Sequence, residues 1–234
     1  MGAGKPSPSE AARRQEMVEV CHALYQRQLV AAWDGNVSCR CGSLILTTPS
    51  GLCKGHLQAA DLILVNEAGQ VVSGQGQPTS ELALHLEVYQ QRPEANAVIH
   101  AHPPVATALT IAGVSLTEGI LPEVVLTLGA IPTAPYATTG TPAMAAAIRT
   151  LVPQHDAILL EQHGALTIGR TLWDAYFKME KVEHAAWIIW LAKQLGHVRS
   201  LPAAEVAKLT ALGLQKGYRP PAVRANPVPP ALED

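Results

Sequence analysis

Apolar residues recur three and four apart at Val18, Cys21, Leu24, Tyr25 and Leu29, which predicts an opening helix over residues 8–32 capped by Ser9. Asp34-Gly35-Asn36 is a turn, and the short alternating runs VSCR and SLILTT after it predict strands. ADLILVN at 60–66 has the compact apolar pattern of a buried strand, and the polar, Gly-rich stretch from Asn66 to Gly76 predicts a hairpin and loop. A helix is expected from near Ser80 to about Gln91, ahead of Pro93. AVIHAH at 97–102 is a predicted strand, and Pro103-Pro104 opens a helix that ends near Gly113. VVLTLG and AIPTAPY predict two further strands. Residues 141–151 are expected to be helical, with Thr141 as cap and Pro142 at the first helical position. AILLEQHGALTIG at 157–169 reads as two strands meeting at Gln162-His163-Gly164. The longest helix is predicted from Thr171 to Leu195 and a last one near 202–213, ahead of a tail with five prolines between 220 and 230.

Strands interleaved with helices, without a fixed-period repeat or a dividing linker, predict an α/β fold: a central, mostly antiparallel sheet flanked by helices. The expected organisation is a disordered N-terminus at 1–8, one domain over 9–218 and a Pro-rich tail at 219–234. Composition adds limits. Hydrophobic residues make up 48% of the chain and aromatics only 4%, so Ala, Leu and Val carry the packing. With 17 basic and 19 acidic residues the formal net charge is −2, which predicts no general attraction to nucleic acid or to an anionic membrane. No apolar leader and no membrane-length apolar run is present, and Cys21, Cys39, Cys41 and Cys53 form neither a paired zinc-ribbon pattern nor a disulfide framework. A cytoplasmic protein with reduced thiols is the expectation.

His100-Ala101-His102 is the first candidate for chemistry. On a strand, residues i and i+2 face the same way with Cβ atoms about 6–7 Å apart, so two imidazoles can converge on one metal ion. Alone, such a pair is as readily a satisfied pair of histidines. His163, placed between two apolar strands beside Gly164, supplies a third imidazole, and three histidines with an open position are the pattern of a catalytic zinc site. His22, His56, His85, His155, His184 and His197 lack such partners and read as packed or partly exposed side chains. Three small-residue turns, Gly35-Asn36-Val37-Ser38, Ser50-Gly51 and Pro78-Thr79-Ser80-Glu81, offer hydroxyls and backbone N–H groups that could cradle a phosphate, although each taken singly is a turn or a helix cap. Glu81 falls at the start of a helix, where a carboxylate is ordinary on dipole grounds; beside a metal it would be placed as a general base. No lysine is expected beside this constellation.

GNVS at 35–38, TPSG at 48–51, PTSE at 78–81 with LALHLEVYQQRPEANAVIHAHPP after it, APYATTGT at 134–141 and EQHGALTIGRTLWDAYFKMEKVEHAA at 161–186 occur in this order. Together they resemble the class II aldolase/adducin family, within it the fuculose-phosphate aldolases, over roughly residues 10–197. The resemblance implies a three-layer fold and one Zn2+ per chain on His100, His102 and His163, with Glu81 as acid/base and, without substrate, a further metal contact. It also implies a phosphate site from Gly35, Asn36, Ser50, Gly51, Thr79 and Ser80. Tyr136, and Tyr218 from the C-terminal region, would match proton-donating tyrosines that act across a subunit interface. The implied activity is reversible retro-aldol cleavage of a ketose 1-phosphate, of the fuculose or 5-deoxypentulose type, to dihydroxyacetone phosphate and a small aldehyde by a homotetramer. Relatives within the family leave two other reactions open, ribulose-phosphate 4-epimerisation and decarboxylation of a phosphorylated keto acid. Epimerases of the family carry Asp where this chain has Glu81. A metal-free, adducin-like scaffold is the reading of another class, and the retained histidines and Glu81 argue against it.

Overall fold

The most buried strand, Ala97–Ala101, lies at the middle of an eight-stranded sheet, and its neighbours determine what faces the site. The computed structural model describes residues 9–223. In chain order the elements are α1 (Glu10–Gln26), β1 (Asn36–Cys41), β2 (Leu44–Thr47), a 3-10 turn at Ala59–Asp61, β3 (Ile63–Val65), β4 (Val71–Ser73), α2 (Leu82–Gln91), β5 (Ala97–Ala101), α3 (Pro104–Ile111), α4 (Pro122–Thr127), β6 (Thr133–Ala134), α5 (Pro142–Ile148), β7 (Ala157–Leu160), β8 (Gly164–Gly169), α6 (Leu172–Leu195) and α7 (Ala203–Gln215). The sheet order is β4-β3-β2-β1-β5-β8-β7-β6. Every pairing is antiparallel except β6 with β7. The expected fold class therefore holds, a mostly antiparallel sheet between helices.

Strand alternation sorts the core into two layers. Val37, Cys39, Ala97, Ile99 and Ala101 turn toward α1, α3 and α6, where they meet Leu24, Leu109, Met179 and Val182. Ile45, Ile63, Val98, Ile158 and Leu166 turn the other way, onto Leu84 and Val88 of α2 and Met144 and Ile148 of α5. A period-2 pattern on the strands and a period-3.6 pattern on the helices fit only this arrangement.

Three predicted elements differ. The opening helix ends at Gln26, short of residue 32, because the chain wraps back on itself: Gln28 donates to Tyr25 O at 3.0 Å and Leu29 to Leu24 O at 2.9 Å, with Gln28 at a φ of 57°. Leu29 and Val30, which prolong the apolar period, are buried in the loop that follows. VVLTLG is not a strand. Pro122 opens α4, Val125 donates to Leu121 O at 3.0 Å and Leu128 to Val124 O at 2.8 Å, and Gly129 follows at a φ of 65°. The apolar run suggested a strand, but Val124, Val125 and Leu128 recur with helical spacing. AIPTAPY contributes only the two residues of β6. Residues 1–8 and 224–234 lie outside the described residues, so the N-terminal expectation and most of the tail fall there. At the start of the tail Pro220 is buried and Pro221 O accepts from Ala130 N at 3.4 Å. No helix among the described residues is long and apolar enough to cross a membrane.

Candidate active site

The sheet centre brings the site together. β5 pairs with β1 so that Asn36 lies opposite His100, and with β8 so that His100 lies opposite Leu166. His102 is just past the end of β5, its backbone N–H donating to Leu29 O at 2.9 Å. His163 comes from the β7–β8 turn, where Gln162 sits at a φ of 55° and donates to Thr110 Oγ1 at 3.0 Å. That turn passes so close to β5 that a Cβ at Gly164 would collide with Ala101 O. Glycine is required there by proximity.

The three rings converge, with centroids 4.6–4.8 Å apart. One ring nitrogen from each of His100, His102 and His163 lies within 4.8 Å of the others. His100 Nδ1 lies 3.0 Å from Ala165 O, and since a carbonyl only accepts, Nδ1 carries the proton and Nε2 presents a lone pair. That lone pair is 3.0 Å from His102 Nε2. Burial, reinforced by the neighbouring imidazoles, holds His100 well below the ordinary histidine pKa. Burial likewise brings His102 to about 4, and it lowers His163 against the opposing pull of Glu81. All three are held in the neutral form at pH 7, so each keeps one ring proton and has one lone pair to offer a cation.

Glu81 completes the cluster. It is the residue before the first turn of α2 rather than within it, and its Oε2 lies 3.2 Å from His100 Nε2 and its Oε1 3.5 Å from His163 Nε2. Glu81 Oε1 and His163 Nδ1 are the buried side-chain polar atoms without a hydrogen-bond partner among the described residues. A buried carboxylate with an unsatisfied oxygen among neutral imidazoles is costly alone and is relieved by a cation. The donor set of three imidazoles and a carboxylate therefore fits a divalent metal ion, with nitrogen favouring zinc over the harder cations.

Behind Glu81 runs a buried chain of hydrogen bonds that sequence reasoning missed. Asn36 Nδ2 donates to Glu81 Oε2 at 2.8 Å, and Asn36 Oδ1 accepts from His85 Nε2 at 2.5 Å. His85 Nδ1 thus accepts from Ser38 Oγ at 2.7 Å, and Ser38 Oγ in turn lies 2.8 Å from Tyr89 OH, which donates to it. The acceptor at one end fixes the donor at the next, which sets the Asn36 amide to face Glu81. His85 was read as a packed residue because its partners are on β1, far away in the chain; its position four residues after Glu81, on one helix face, is the signal that could have found it. Burial pushes its pKa down to about 3. The sign follows: below an ordinary pKa near 6.5 the unfolded chain takes up a proton that the fold refuses, so stability is full above that pH and lost as pH falls toward 3. Between pH 6.5 and 5 we expect a loss of about 2 kcal/mol from this group. Urea unfolding of the metal-free protein at the two pH values checks it, and His85→Gln should flatten the slope.

A cavity of about 560 Å³ opens in front of the cluster, lined by Gly35, Asn36, Ser50, Gly51, Thr79, Ser80, Glu81, His102 and His163 together with Asp34, Lys54, Thr139 and Gly140. All six residues expected to hold phosphate therefore surround one space beside the histidines. The 48–51 and 77–80 turns are held together by a bridge between Pro49 and Pro78. Ser50 N–H is engaged with Gln77 O and Thr79 N–H with Thr48 O, so these two residues can offer a ligand only their hydroxyls. The expectation that no lysine lies near is corrected: Lys54 lines the cavity, brought there by a loop that spacing alone does not reveal. Tyr136 is 61% exposed, with its backbone N–H on Glu161 Oε2 at 2.8 Å, and it does not line the cavity of its own chain. Tyr218 lines a separate cavity with Arg92, Asp156 and Arg170.

The chain is similar to known proteins in sequence and in fold. The family model described as the class II aldolase and adducin N-terminal domain matches residues 15–190. An L-fuculose phosphate aldolase of Methanococcus vannielii is 37% identical over 172 residues, 74% of this chain and 92% of its own length. A 3-oxo-tetronate 4-phosphate decarboxylase of Pectobacterium atrosepticum is 32% identical over 209 residues, 86% of this chain and 94% of the relative. The solved structure of an L-fuculose-1-phosphate aldolase from Thermus thermophilus superposes with a TM-score of 0.72 at 30% identity, covering 81% of this chain and 100% of that one.

Proposed function

Because the chain belongs to the class II aldolase and adducin family, we propose that it is a zinc-dependent aldolase that cleaves and forms a small ketose 1-phosphate, with dihydroxyacetone phosphate as the common product. The observation that carries this reading is the convergence of three neutral imidazoles on Glu81, whose Oε1 has no partner, at the wall of a sugar-sized cavity. A zinc ion held by His100, His102 and His163, with Glu81 beside it, would polarise the ketose carbonyl and stabilise the enediolate that bond cleavage leaves.

The chain's own groups would do the rest. Glu81, aimed by Asn36, moves the proton at C3 of dihydroxyacetone phosphate. Ser50, Gly51, Thr79 and Ser80 bind the phosphate and orient the sugar along the cavity. Tyr136, exposed on its own chain, reaches the aldehyde oxygen of a neighbouring subunit as proton donor, which is why we propose a homotetramer with sites at subunit boundaries. Tyr218 is the candidate for the second interface tyrosine. We place the enzyme in the cytoplasm, acting on metabolite-sized phosphates without nucleic acid or membrane partners.

Decarboxylation is the second reading, favoured by relatives named 3-oxo-tetronate 4-phosphate decarboxylase at 32–35% identity. The two reactions share enolate chemistry and differ in the fragment released. Incubation of dihydroxyacetone phosphate with a panel of small aldehydes, using as-purified, EDTA-stripped and zinc-restored protein, separates them. A zinc-dependent ketose phosphate supports the aldolase; failure with every aldehyde, together with CO2 release from a phosphorylated keto acid, transfers the assignment to the decarboxylase.

A further inference from the structure

Lys54 is 1% exposed, yet it lines the cavity in front of the histidines. The loop that carries it is pressed inward: a Cβ at Gly55 would run into the ring of Tyr25, so the chain lies against α1 with no room for a side chain there. The Lys54 ammonium donates to Trp33 O at 2.7 Å and to Leu52 O at 2.8 Å. Those are two of its three N–H groups, and both acceptors are neutral. No carboxylate lies within 4.0 Å of it among the described residues; the cavity's acids face elsewhere, Asp34 toward His102 and Glu81 toward His100 and His163.

A buried cation without a counter-ion is expensive, and groups kept in that state mark sites where an anion arrives. Of the side chains that line this cavity, Lys54 is the cationic one; the others are four Ser and Thr hydroxyls, one amide, the carboxylates of Asp34 and Glu81, the imidazoles of His102 and His163, and Trp33 and Pro49. Neutral donors orient a phosphate monoester but do not balance its two charges, least of all with Asp34 and Glu81 in the same cavity.

We propose that Lys54 is the charge-bearing contact of an oxyanion subsite in this cavity, bonding a phosphate monoester dianion through the N–H that Trp33 and Leu52 leave over. It deepens the aldolase reading and rests on it for the identity of the sugar. The two carbonyls also tie residues 33 and 52 to one point, so the ammonium is held at the cavity wall before the ligand comes. With both carbonyls drawing on an ammonium and no base beside it, Lys54 acts as a cation and not as a Schiff-base nucleophile.

Calorimetric titration of the zinc-reconstituted full chain with inorganic phosphate, dihydroxyacetone phosphate and dihydroxyacetone tests this. Lys54→Gln keeps donors for the two carbonyls and removes the charge; Lys54→Met keeps only the stem. We expect both variants to bind the two phosphates roughly 10- to 100-fold more weakly, with dihydroxyacetone unchanged and the Lys54→Gln melting temperature preserved. In the wild type, the Nζ resonance of one shielded lysine in 15N-labelled protein should move with inorganic phosphate, a readout that needs no variant to fold. Phosphate affinity unchanged in Lys54→Gln, equal weakening of all three ligands, no phosphate binding by the wild type, or no moving Nζ resonance would each overturn the inference. Lys54-dependent phosphate binding without aldol turnover keeps the subsite and removes the reaction; turnover with an unaltered KM in Lys54→Gln does the reverse.

Discussion

Glu81→Gln is expected to lower kcat between about 10²- and 10⁴-fold, the range for loss of a positioned general base, while the protein still binds one metal ion per chain. The substitution keeps shape and volume, and the Asn36 amide, 2.8 Å from Glu81 Oε2 in the wild type, can still donate to the new side-chain oxygen. What disappears is the proton acceptor. Substrate affinity should change little, because the cavity walls at Ser50, Gly51, Thr79 and Ser80 are untouched. The measurement is a kcat and KM determination alongside metal analysis of the same preparation. A variant with a tenth or more of wild-type kcat would remove Glu81 from the proton transfer.

His163→Ala should abolish turnover altogether, down to the background of the EDTA-treated wild type. His163 is the imidazole of the cluster carried by a turn, and without it the metal would be left with His100, His102 and Glu81, one nitrogen fewer than the set that favours zinc. Metal analysis after dialysis should show well under one ion per chain, where the wild type keeps one. His22→Ala is the matched control: His22 Nε2 bonds Leu57 O at 3.0 Å, outside the cluster, so metal content and kcat should stay at wild-type levels. Full metal retention in His163→Ala would mean that another ligand set holds the ion.

The site was legible where a local period fixed the geometry. His100 and His102 lie near one strand end and His163 sits at a turn between two apolar strands, so their convergence follows from pairing β5 with β8. Gly35, Asn36, Ser50, Gly51, Thr79 and Ser80 were singled out through turn chemistry and line one cavity, and the bridge between Pro49 and Pro78 brings two of those turns together. What the sequence hid depends on packing between distant segments. Lys54 reaches the cavity only because Gly55 lets its loop lie on Tyr25, and His85 acts through Ser38 and Asn36 across the α2–β1 contact. Asn36 lines the cavity, and its amide also faces Glu81 and His85, a contact visible only once β1 and α2 are side by side. α4 was misread for a local reason, since a short apolar run satisfies strand and helix patterns alike and Pro122-Glu123 was the overlooked start signal.

Proton exchange at C3 of dihydroxyacetone phosphate tests the central claim without knowledge of the aldehyde. In D2O, followed by 1H NMR, the zinc-loaded protein should replace one C3 hydrogen stereospecifically; EDTA should stop the exchange, zinc should restore it, and Glu81→Gln should not support it. Absence of exchange by the zinc-loaded wild type, or exchange that persists in the metal-free protein, would contradict the account.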